Sequence, residues 1–309
     1  MTLSTLPDRR AVAAPHARAL AADSAELTNS EFLAAVQRAA ACLRGAGVAT
    51  GDVVATVLPG AVDLVVSLFA IWRLGATAAV IDPMASDEEV GRRVADAECE
   101  VVIVHERPAA ICSSVRVVPV AVALGAAERD RTPAARPGGE ALALITYGGG
   151  KRALLDHRNL EAMCRLVIEV FVLTDADHSL STLPIRHICG LVIGALSPLA
   201  AGGHATMAGP LDPAAFLERI ERTRPTYSSG LPNLYAALSD LPGRTRPDTS
   251  SVRFALCCAA PAGADLRARF EERYGIPIIN AYGLTEVIAR AHAIRSPAAG
   301  EPIGASFAP

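Results

Sequence analysis

Short apolar runs alternate with helical patterns along this 309-residue chain, and this alternation restricts the possible fold more than any other feature. Strands are predicted at Val53–Leu58, Thr77–Ile81 and Val101–Val104, and they are separated by helices predicted at 61–74 and 86–97. Strands joined by helices of this length pair in parallel, so the pattern predicts a doubly wound sheet. The order of elements therefore places the chain in the α/β class.

The same alternation restarts after a charged segment rich in proline and glycine, residues 125–139. This segment predicts an interlobe linker between a first α/β lobe over 1–139 and a second over 140–309. A chain of this length exceeds what one hydrophobic core usually organises, so we expect two packed lobes in layers. In the second lobe, strands are predicted at 141–146, 179–183, 204–207, 226–228, 252–257 and 276–279, with helices at 159–173, 190–199, 213–222, 232–238 and 264–274.

Two helix starts carry the capping-box pattern, in which a hydroxyl and a carboxylate three residues later satisfy each other's main-chain N–H groups. The pairs are Thr28 with Glu31 and Ser86 with Glu89.

Composition excludes several classes of function. The net charge is −3 and only 4% of residues are aromatic, which argues against a basic or base-stacking surface for nucleic acid. The seven cysteines are scattered without a CxxC pair, a pattern typical of reduced thiols in the cytoplasm. The N-terminus lacks an uninterrupted apolar core, and glycines break the uncharged stretch 187–210. We therefore expect a cytoplasmic protein without a signal peptide or membrane span.

Four segments contain residues that could bind a ligand or take part in a reaction. They fall at predicted strand ends, where open α/β sheets bind ligands. They read TYGGGK (146–151), LPIRHICGL (183–191), AAPAG (259–263) and NAYGLTE (280–286). The glycines and lysine of the first suit a phosphate, although a plain turn between strand and helix is an equal alternative. In the last, Tyr282 suits a base, Thr285 a phosphate and Glu286 Mg²⁺; read alone, this segment is also compatible with an ordinary strand-to-loop turn.

Taken in order, these segments resemble the adenylate-forming superfamily, which comprises acyl- and aryl-CoA synthetases, luciferases and the adenylation domains of peptide synthetases. GVATGDVVATVLPG (47–60), AIWRLGATAAVIDP (70–83), INAYGLTE (279–286) and EPIGA (301–305) extend the resemblance over nearly the whole chain. The resemblance implies the layered αβαβα N-terminal domain of that family.

The resemblance also implies roles for individual residues. Tyr282 would stack on adenine, Thr285 would contact the α-phosphate and Glu286 would ligate Mg²⁺. Lys151 matches the lysine of the phosphate loop, and His187 matches a histidine beside the reacting carboxylate. The remaining implied contacts are Gly148, Gly149 and Gly150 at the phosphates, Ala259, Ala260 and Pro261 at adenine, and Cys189, Gly190, Gly230 and Leu231 in the acyl pocket.

Two departures from the family pattern bear on activity. The family's phosphate loop, of the type TSGTTGxPKG, is longer and rich in hydroxyls, whereas here only TYGGG precedes Lys151; weakened ATP binding is the expectation. The chain ends at Pro309, before the position where the family has its ribose-binding aspartate and its mobile C-terminal domain with the adenylation lysine. We therefore expect adenylation by this chain alone to be slow.

Three functions remain open at this point. The first is an acyl- or aryl-acid ligase that uses ATP and Mg²⁺ to activate a small carboxylate and is completed by a separate C-terminal domain. The second is a transferase that acts on a CoA- or phosphopantetheine-bound thioester, including that of an acyl carrier protein, with His187 as base and Cys189 as a remote nucleophile candidate. The third is a non-catalytic binding protein. A homodimer is compatible with each of them.

Overall fold

The predicted parallel strands assemble into two β-sheets with helices packed on their faces, as seen in a computed structural model of the chain. The structure describes residues 2–22, 25–106, 111, 113–148, 151–209, 211–242, 247–283 and 290–292. The α-helices of the described residues are α1 (Leu6–Ala13), α2 (Asn29–Gly45), α3 (Ala61–Arg73), α4 (Asp87–Asp96), α5 (Val120–Gly125), α6 (His157–Phe171), α7 (Ile188–Leu191), α8 (Ser197–Ala201), α9 (Pro213–Thr223), α10 (Pro232–Ser239) and α11 (Ala264–Tyr274). A 3₁₀ helix, Leu3–Thr5, precedes α1, and a π-helix, Val192–Leu196, joins α7 to α8. The strands are β1 (Arg18–Ala22), β2 (Ala25–Thr28), β3 (Val53–Val57), β4 (Thr77–Val80), β5 (Val101–Val104), β6 (Arg116–Pro119), β7 (Leu142–Gly148), β8 (Lys151–Asp156), β9 (His178–Ser181), β10 (His204–Met207), β11 (Tyr227–Gly230), β12 (Phe254–Cys257), β13 (Ile278–Tyr282) and β14 (Arg290–His292).

The two sheets are mostly parallel, which confirms the predicted fold class. A six-stranded sheet has the order β6-β5-β3-β4-β7-β8, and an eight-stranded sheet has the order β14-β13-β12-β11-β9-β10-β1-β2. The antiparallel pairs of the described residues, β1 with β2, β7 with β8 and β13 with β14, lie at sheet edges. The parallel strands therefore share one direction within each sheet, and their carboxyl ends meet at one edge.

Sheet membership does not follow the predicted division at 139/140. Strands β7 and β8 complete the first sheet, with Ala78 of β4 opposite Leu144 of β7. Strands β1 and β2 join the second sheet, with Leu20 of β1 opposite Ala205 of β10. Both pairings join strands that are far apart in sequence. The main-chain hydrogen bonds of these strands are therefore made to partners that the local sequence does not reveal.

Helix α3 lies between the two sheets and is buried over almost its whole length. Its Trp72 is fully buried, packs edge-on against Phe69 and donates its indole N–H to the carbonyl of Ala143 at 2.8 Å. Phe69 in turn meets Phe32 of α2 edge-on. These three aromatic side chains connect α2 and α3 to the start of β7.

The segment predicted as an interlobe linker has no helix or strand between 126 and 139, but it is anchored to the helices beneath it. The buried carboxylate of Asp130 accepts from Arg44 at 2.7 Å, and Arg73 donates to the carbonyl of Thr132 at 2.6 Å. The N–H of Ala135 donates to the carbonyl of Arg73 at 2.9 Å. The linker prediction depends on amino-acid composition, and composition does not reveal contacts of this kind.

Of the two predicted capping boxes, that of Thr28 with Glu31 is formed in both directions. At the start of α4, Ser86 accepts from the N–H of Glu89 as predicted, but the return bond is not present. The Glu89 carboxylate pairs instead with Arg92 and Arg93 one turn later. Charge pairing along the helix has replaced the second half of the motif.

Among the described residues, no helix has the length and apolar character needed to cross a membrane. The six cysteines that the structure describes are free thiols.

Candidate active site

Three loops and the end of β13 lie at one edge of the eight-stranded sheet. Strands β9, β11, β12 and β13 are consecutive neighbours and parallel, so their carboxyl ends lie side by side. The loops after β9, β11 and β12 carry His187, Gly230–Leu231 and Ala259–Pro261, and Tyr282 ends β13. The carboxyl edge of the sheet thus brings together residues that are about a hundred positions apart in sequence.

The loop after β9 is a tight turn that ends in α7. His187 precedes the helix in an extended conformation, and its N–H donates to the carbonyl of Pro184 at 3.0 Å. The imidazole is exposed at the site. Partial burial and the adjacent Arg186 charge lower the pKa of His187, while Asp82 acts in the opposite direction. The imidazole is therefore neutral at pH 7 and able to donate or accept one hydrogen bond.

Position 190 leaves no space for a side chain. A Cβ placed on Gly190 would lie 2.4 Å from the carbonyl oxygen of Pro184. Cys189 is half-buried beside it, and burial raises the pKa of its thiol. Because the thiolate is the nucleophilic form, this environment disfavours Cys189 as a nucleophile.

The loop after β11 is closely packed on its neighbours. The carbonyl of Gly230 accepts from the N–H of Cys258 at 3.0 Å. A Cβ on Gly230 would lie 2.9 Å from Leu234 and 3.1 Å from the hydroxyl of Thr182. Leu231 follows as the residue that precedes α10. This part of the wall is thus small and uncharged.

The loop after β12 is exposed and carries a strained residue. Ala259, Ala260 and Pro261 are all exposed, and Ala259 has a φ of +68°. This left-handed conformation is uncommon for a residue with a Cβ. Asn280 of β13 holds the far side of the loop: it accepts from the N–H of Ala262 at 2.8 Å and donates to the carbonyl of Ala262 at 3.1 Å.

The structure corrects the prediction for TYGGGK. This segment is not a loop between a strand and a helix but the tip of a β-hairpin, in which Gly148 of β7 pairs with Lys151 of β8. Strand β8 was missed because its residues, KRALLD, look like the entry to a helix. That helix begins at His157, two residues before its predicted start at 159, behind a capping box of Asp156 with Asn159. Lys151 is exposed at the hairpin tip.

Several predicted residues lie outside the described residues. They are Gly149, Gly150, Thr285 and Glu286. Their roles remain predictions.

An ion pair joins the two sheets beside His187, and sequence reasoning missed it. Arg186 in the loop after β9 lies 2.8 Å from the carboxylate of Asp82, which follows β4. Strand β4 is the neighbour of β7, so this pair places the carboxyl end of the first sheet next to the site. The sequence offers two weak signals of this pair: Arg186 directly precedes the histidine, and Asp82 follows a predicted strand. Sequence reasoning also missed the role of Asn280, although this residue lies inside a predicted motif.

Comparison with known proteins assigns the family. The family model described as AMP-binding enzyme matches residues 7–307. The chain belongs to the AMP-binding enzyme family. The resemblance inferred from the motifs is thereby confirmed.

Two curated proteins with similar sequences are a feruloyl-CoA synthase and an oxalate–CoA ligase. The chain is 32% identical over 304 residues to feruloyl-CoA synthase of Amycolatopsis sp, an alignment that covers 94% of this chain and 62% of that protein. It is 28% identical over 313 residues to oxalate–CoA ligase of Arabidopsis thaliana, covering 92% of this chain and 61% of that protein. The chain therefore spans less than two thirds of the length of these relatives.

Solved structures of the family share the fold. The anthranilate CoA ligase AuaEII in complex with anthranoyl-AMP superposes with a TM-score of 0.84 at 21% identity, covering 93% of this chain and 59% of that one. The N-terminal domain of FACL13 from Mycobacterium tuberculosis gives 0.82 at 21% identity, with 92% and 76% covered. Among the three functions left open by the sequence, the family favours the ligase over the transferase and the non-catalytic protein.

Proposed function

We propose that this chain provides the nucleotide- and carboxylate-binding site of an acyl- or aryl-acid ligase that activates its substrate with ATP and Mg²⁺ and transfers it to CoA. The observation that carries the proposal is the meeting of three loops and the end of β13 at the carboxyl edge of the eight-stranded sheet, in a chain of the AMP-binding enzyme family. Open α/β sheets bind nucleotides at this edge.

Features of the described residues fit a nucleotide. Ala259–Pro261 present an exposed strip of main chain with small side chains, against which a flat base can lie. Lys151, which pairs with Gly148 at the end of β7, is exposed and offers an ammonium group for phosphates. Lys151 is also the only lysine in the 309-residue sequence. ATP, when bound with Mg²⁺ at Glu286, supplies an activated phosphoryl centre for the substrate carboxylate.

His187 orients the carboxylate in this proposal. Its neutral imidazole is exposed at the start of α7 and can donate a hydrogen bond to a carboxylate oxygen without adding a fixed charge. Arg186 supports this geometry through its ion pair with Asp82, which holds the loop to the other sheet. A preorganised donor of this kind fixes the orientation of the carboxylate before the reaction and needs no rearrangement during it.

An aryl carboxylate is the proposed substrate class. The lining contributed by Cys189, Gly190, Gly230 and Leu231 carries no formal charge, so it favours an apolar substrate body over a second carboxylate. The 32% identity to a feruloyl-CoA synthase supports the same choice.

The test is calorimetric titration of the purified chain with ATP·Mg²⁺ and with a non-hydrolysable feruloyl-AMP analogue. We expect the analogue to bind more tightly than ATP because it occupies the base strip and the acyl pocket together. His187→Ala should weaken the analogue more than ATP, whereas Arg165→Ala, an exposed change on α6, should alter neither. Absence of binding by both ligands would contradict the proposal.

The single lysine permits a second readout. We expect ATP·Mg²⁺ to protect Lys151 from an amine-acetylating reagent, measured by peptide mass spectrometry, with the N-terminal amine as the internal control. Equal modification of Lys151 with and without saturating ATP would remove it from the phosphate site.

A further inference from the structure

A second cavity lies at the opposite edge of the eight-stranded sheet, away from the candidate active site. It has a volume of about 130 Å³ and lies between the amino ends of β9 and β10, strand β1 and the last turn of α9. His178 and His204 are the first residues of their strands and face each other in the parallel register. The loops of the candidate active site follow the carboxyl ends of the same sheet.

The charged groups around this cavity are predominantly basic. The six titratable residues that line it are Arg18, Glu26, His178, His204, Arg219 and Arg222. Arg18 pairs with Glu26 at 2.8 Å, so the one carboxylate of the lining is already matched. Arg222 of α9 is exposed and adds positive charge beside the histidines.

The hydrogen bonds of His178 fix its tautomer. Its Nδ1 lies 3.1 Å from the carbonyl oxygen of Thr223, which can only accept, so Nδ1 carries the proton. Its Nε2 therefore accepts from the hydroxyl of Thr206 at 2.8 Å. Both ring nitrogens are satisfied, and His178 serves as a rigid, neutral wall.

His204 differs from its partner in having an unused nitrogen. The two rings stack with centroids 3.9 Å apart and planes 18° apart. Burial, followed by the charges of Arg18 and Arg10, lowers the pKa of His204 to about 4, so its ring is neutral at pH 7. Its Nε2 is buried, and no residue that the structure describes hydrogen-bonds to it. Buried polar atoms in proteins are almost always paired, so this atom calls for a partner from outside the chain.

We propose that this cavity is a binding site for a small oxyanion of the phosphate or carboxylate class. Arg222 supplies the charge and His204 donates its Nε2–H to an anion oxygen. The volume suits such a ligand, because a single water needs roughly 10–15 Å³ of space by the same measure. This site goes beyond the proposed ligase function and does not depend on it.

The experiment follows the histidine Cε1–H resonances by NMR in protein labelled with ¹³C-histidine. Inorganic phosphate and, separately, acetate are titrated in at constant ionic strength, and the seven histidines are assigned with His→Gln variants. We expect a saturable shift of the His204 resonance with one or both anions, and the anion that saturates identifies the class. Arg222→Gln should weaken this binding about tenfold, the loss of one charge-assisted contact. Arg269→Gln, an equal change of charge on α11, should leave it unaltered.

Because Arg222 is exposed, its variant tests the site without risk to folding. Three results would overturn the proposal. One is the absence of a saturable shift at His204 with either anion, and another is equal behaviour of Arg222→Gln and Arg269→Gln. The third is saturation of the His187 resonance alone, which would place anion binding at the candidate active site.

Discussion

Replacement of Asn280 by alanine tests how the exposed loop Ala259–Pro261, the proposed contact for the nucleotide base, is held in place. The Asn280 amide makes two hydrogen bonds to Ala262, one to its N–H at 2.8 Å and one to its carbonyl at 3.1 Å. Ala262 is 3% exposed, so water does not readily replace these bonds. A neutral hydrogen bond contributes about 1 kcal/mol, and a buried group left unpaired costs about 1–3 kcal/mol. We therefore expect the free energy of unfolding to fall by about 2–3 kcal/mol.

The same change should weaken nucleotide binding, because the loop that these bonds anchor contains Ala259 in its left-handed conformation. Without the anchor the strain can relax, and the exposed strip loses its shape. Urea unfolding and calorimetry with ATP·Mg²⁺ measure the two effects on one protein preparation.

The control for stability is Asn233→Ala, which removes an exposed amide bonded only to the next residue of its own helix. Surface changes of this kind stay within about 0.5 kcal/mol. If Asn280→Ala matched this control, the two bonds would not stabilise the fold. If it lost stability but bound ATP normally, the loop after β12 would lie outside the nucleotide site.

Three further predictions address packing, pH and a buried charge. Gly190→Ala places a methyl group 2.4 Å from a main-chain carbonyl oxygen and should cost about 1–3 kcal/mol in urea unfolding, whereas Gly45→Ala, where space is open, should not destabilise. Burial lowers the pKa of His178 to about 3 and that of His204 to about 4, from 6.5. The unfolded chain therefore binds protons that the folded chain excludes, and the free energy of unfolding should fall as the pH drops from about 6.5 towards 4. His204→Gln should flatten this pH dependence. An unchanged dependence would contradict the lowered pKa of His204. The buried Arg10 guanidinium donates to two distant main-chain carbonyls, so Arg10→Met should cost about 2–4 kcal/mol, and thermal unfolding close to that of the wild type would show that these bonds contribute little.

Helix starts show how much local sequence encodes. The Thr28 capping box forms as predicted because both bonds close within four residues. At Ser86 the first bond forms for the same reason, but the Glu89 carboxylate has arginines within reach on its own helix and turns to them. A motif is thus reliable only where no competing partner lies nearby.

The positions of the candidate site loops were predictable for a similar reason. Each lies directly after an apolar strand, and parallel strands bring their carboxyl ends to one edge whatever their order. His187, Gly230 and Ala259 therefore meet at the edge where the sequence predicted a ligand.

The hairpin at Lys151 shows what local reading misses. Strand β8 is six residues long and runs directly into a helix start, so its residues alone do not distinguish a strand from the entry to that helix. Only pairing with β7 over six positions decides its structure. The Asp82–Arg186 pair and the stacked His178 and His204 likewise exist only once distant strands have been aligned.

The sequence by itself determined the α/β class, most of the helices and parallel strands and the loops that carry the candidate site, because these depend on periodicity and on hydrogen bonds between near neighbours. Tertiary structure alone decided which sheet each strand joins, that β8 pairs with β7 and which charged groups meet. These features depend on contacts between residues far apart in sequence. Such contacts form when main-chain hydrogen bonds and apolar burial offset the conformational entropy lost in closing long loops. The position of β1 beside β10, about 180 residues away, is set by this exchange, and with it the cavity of the two histidines.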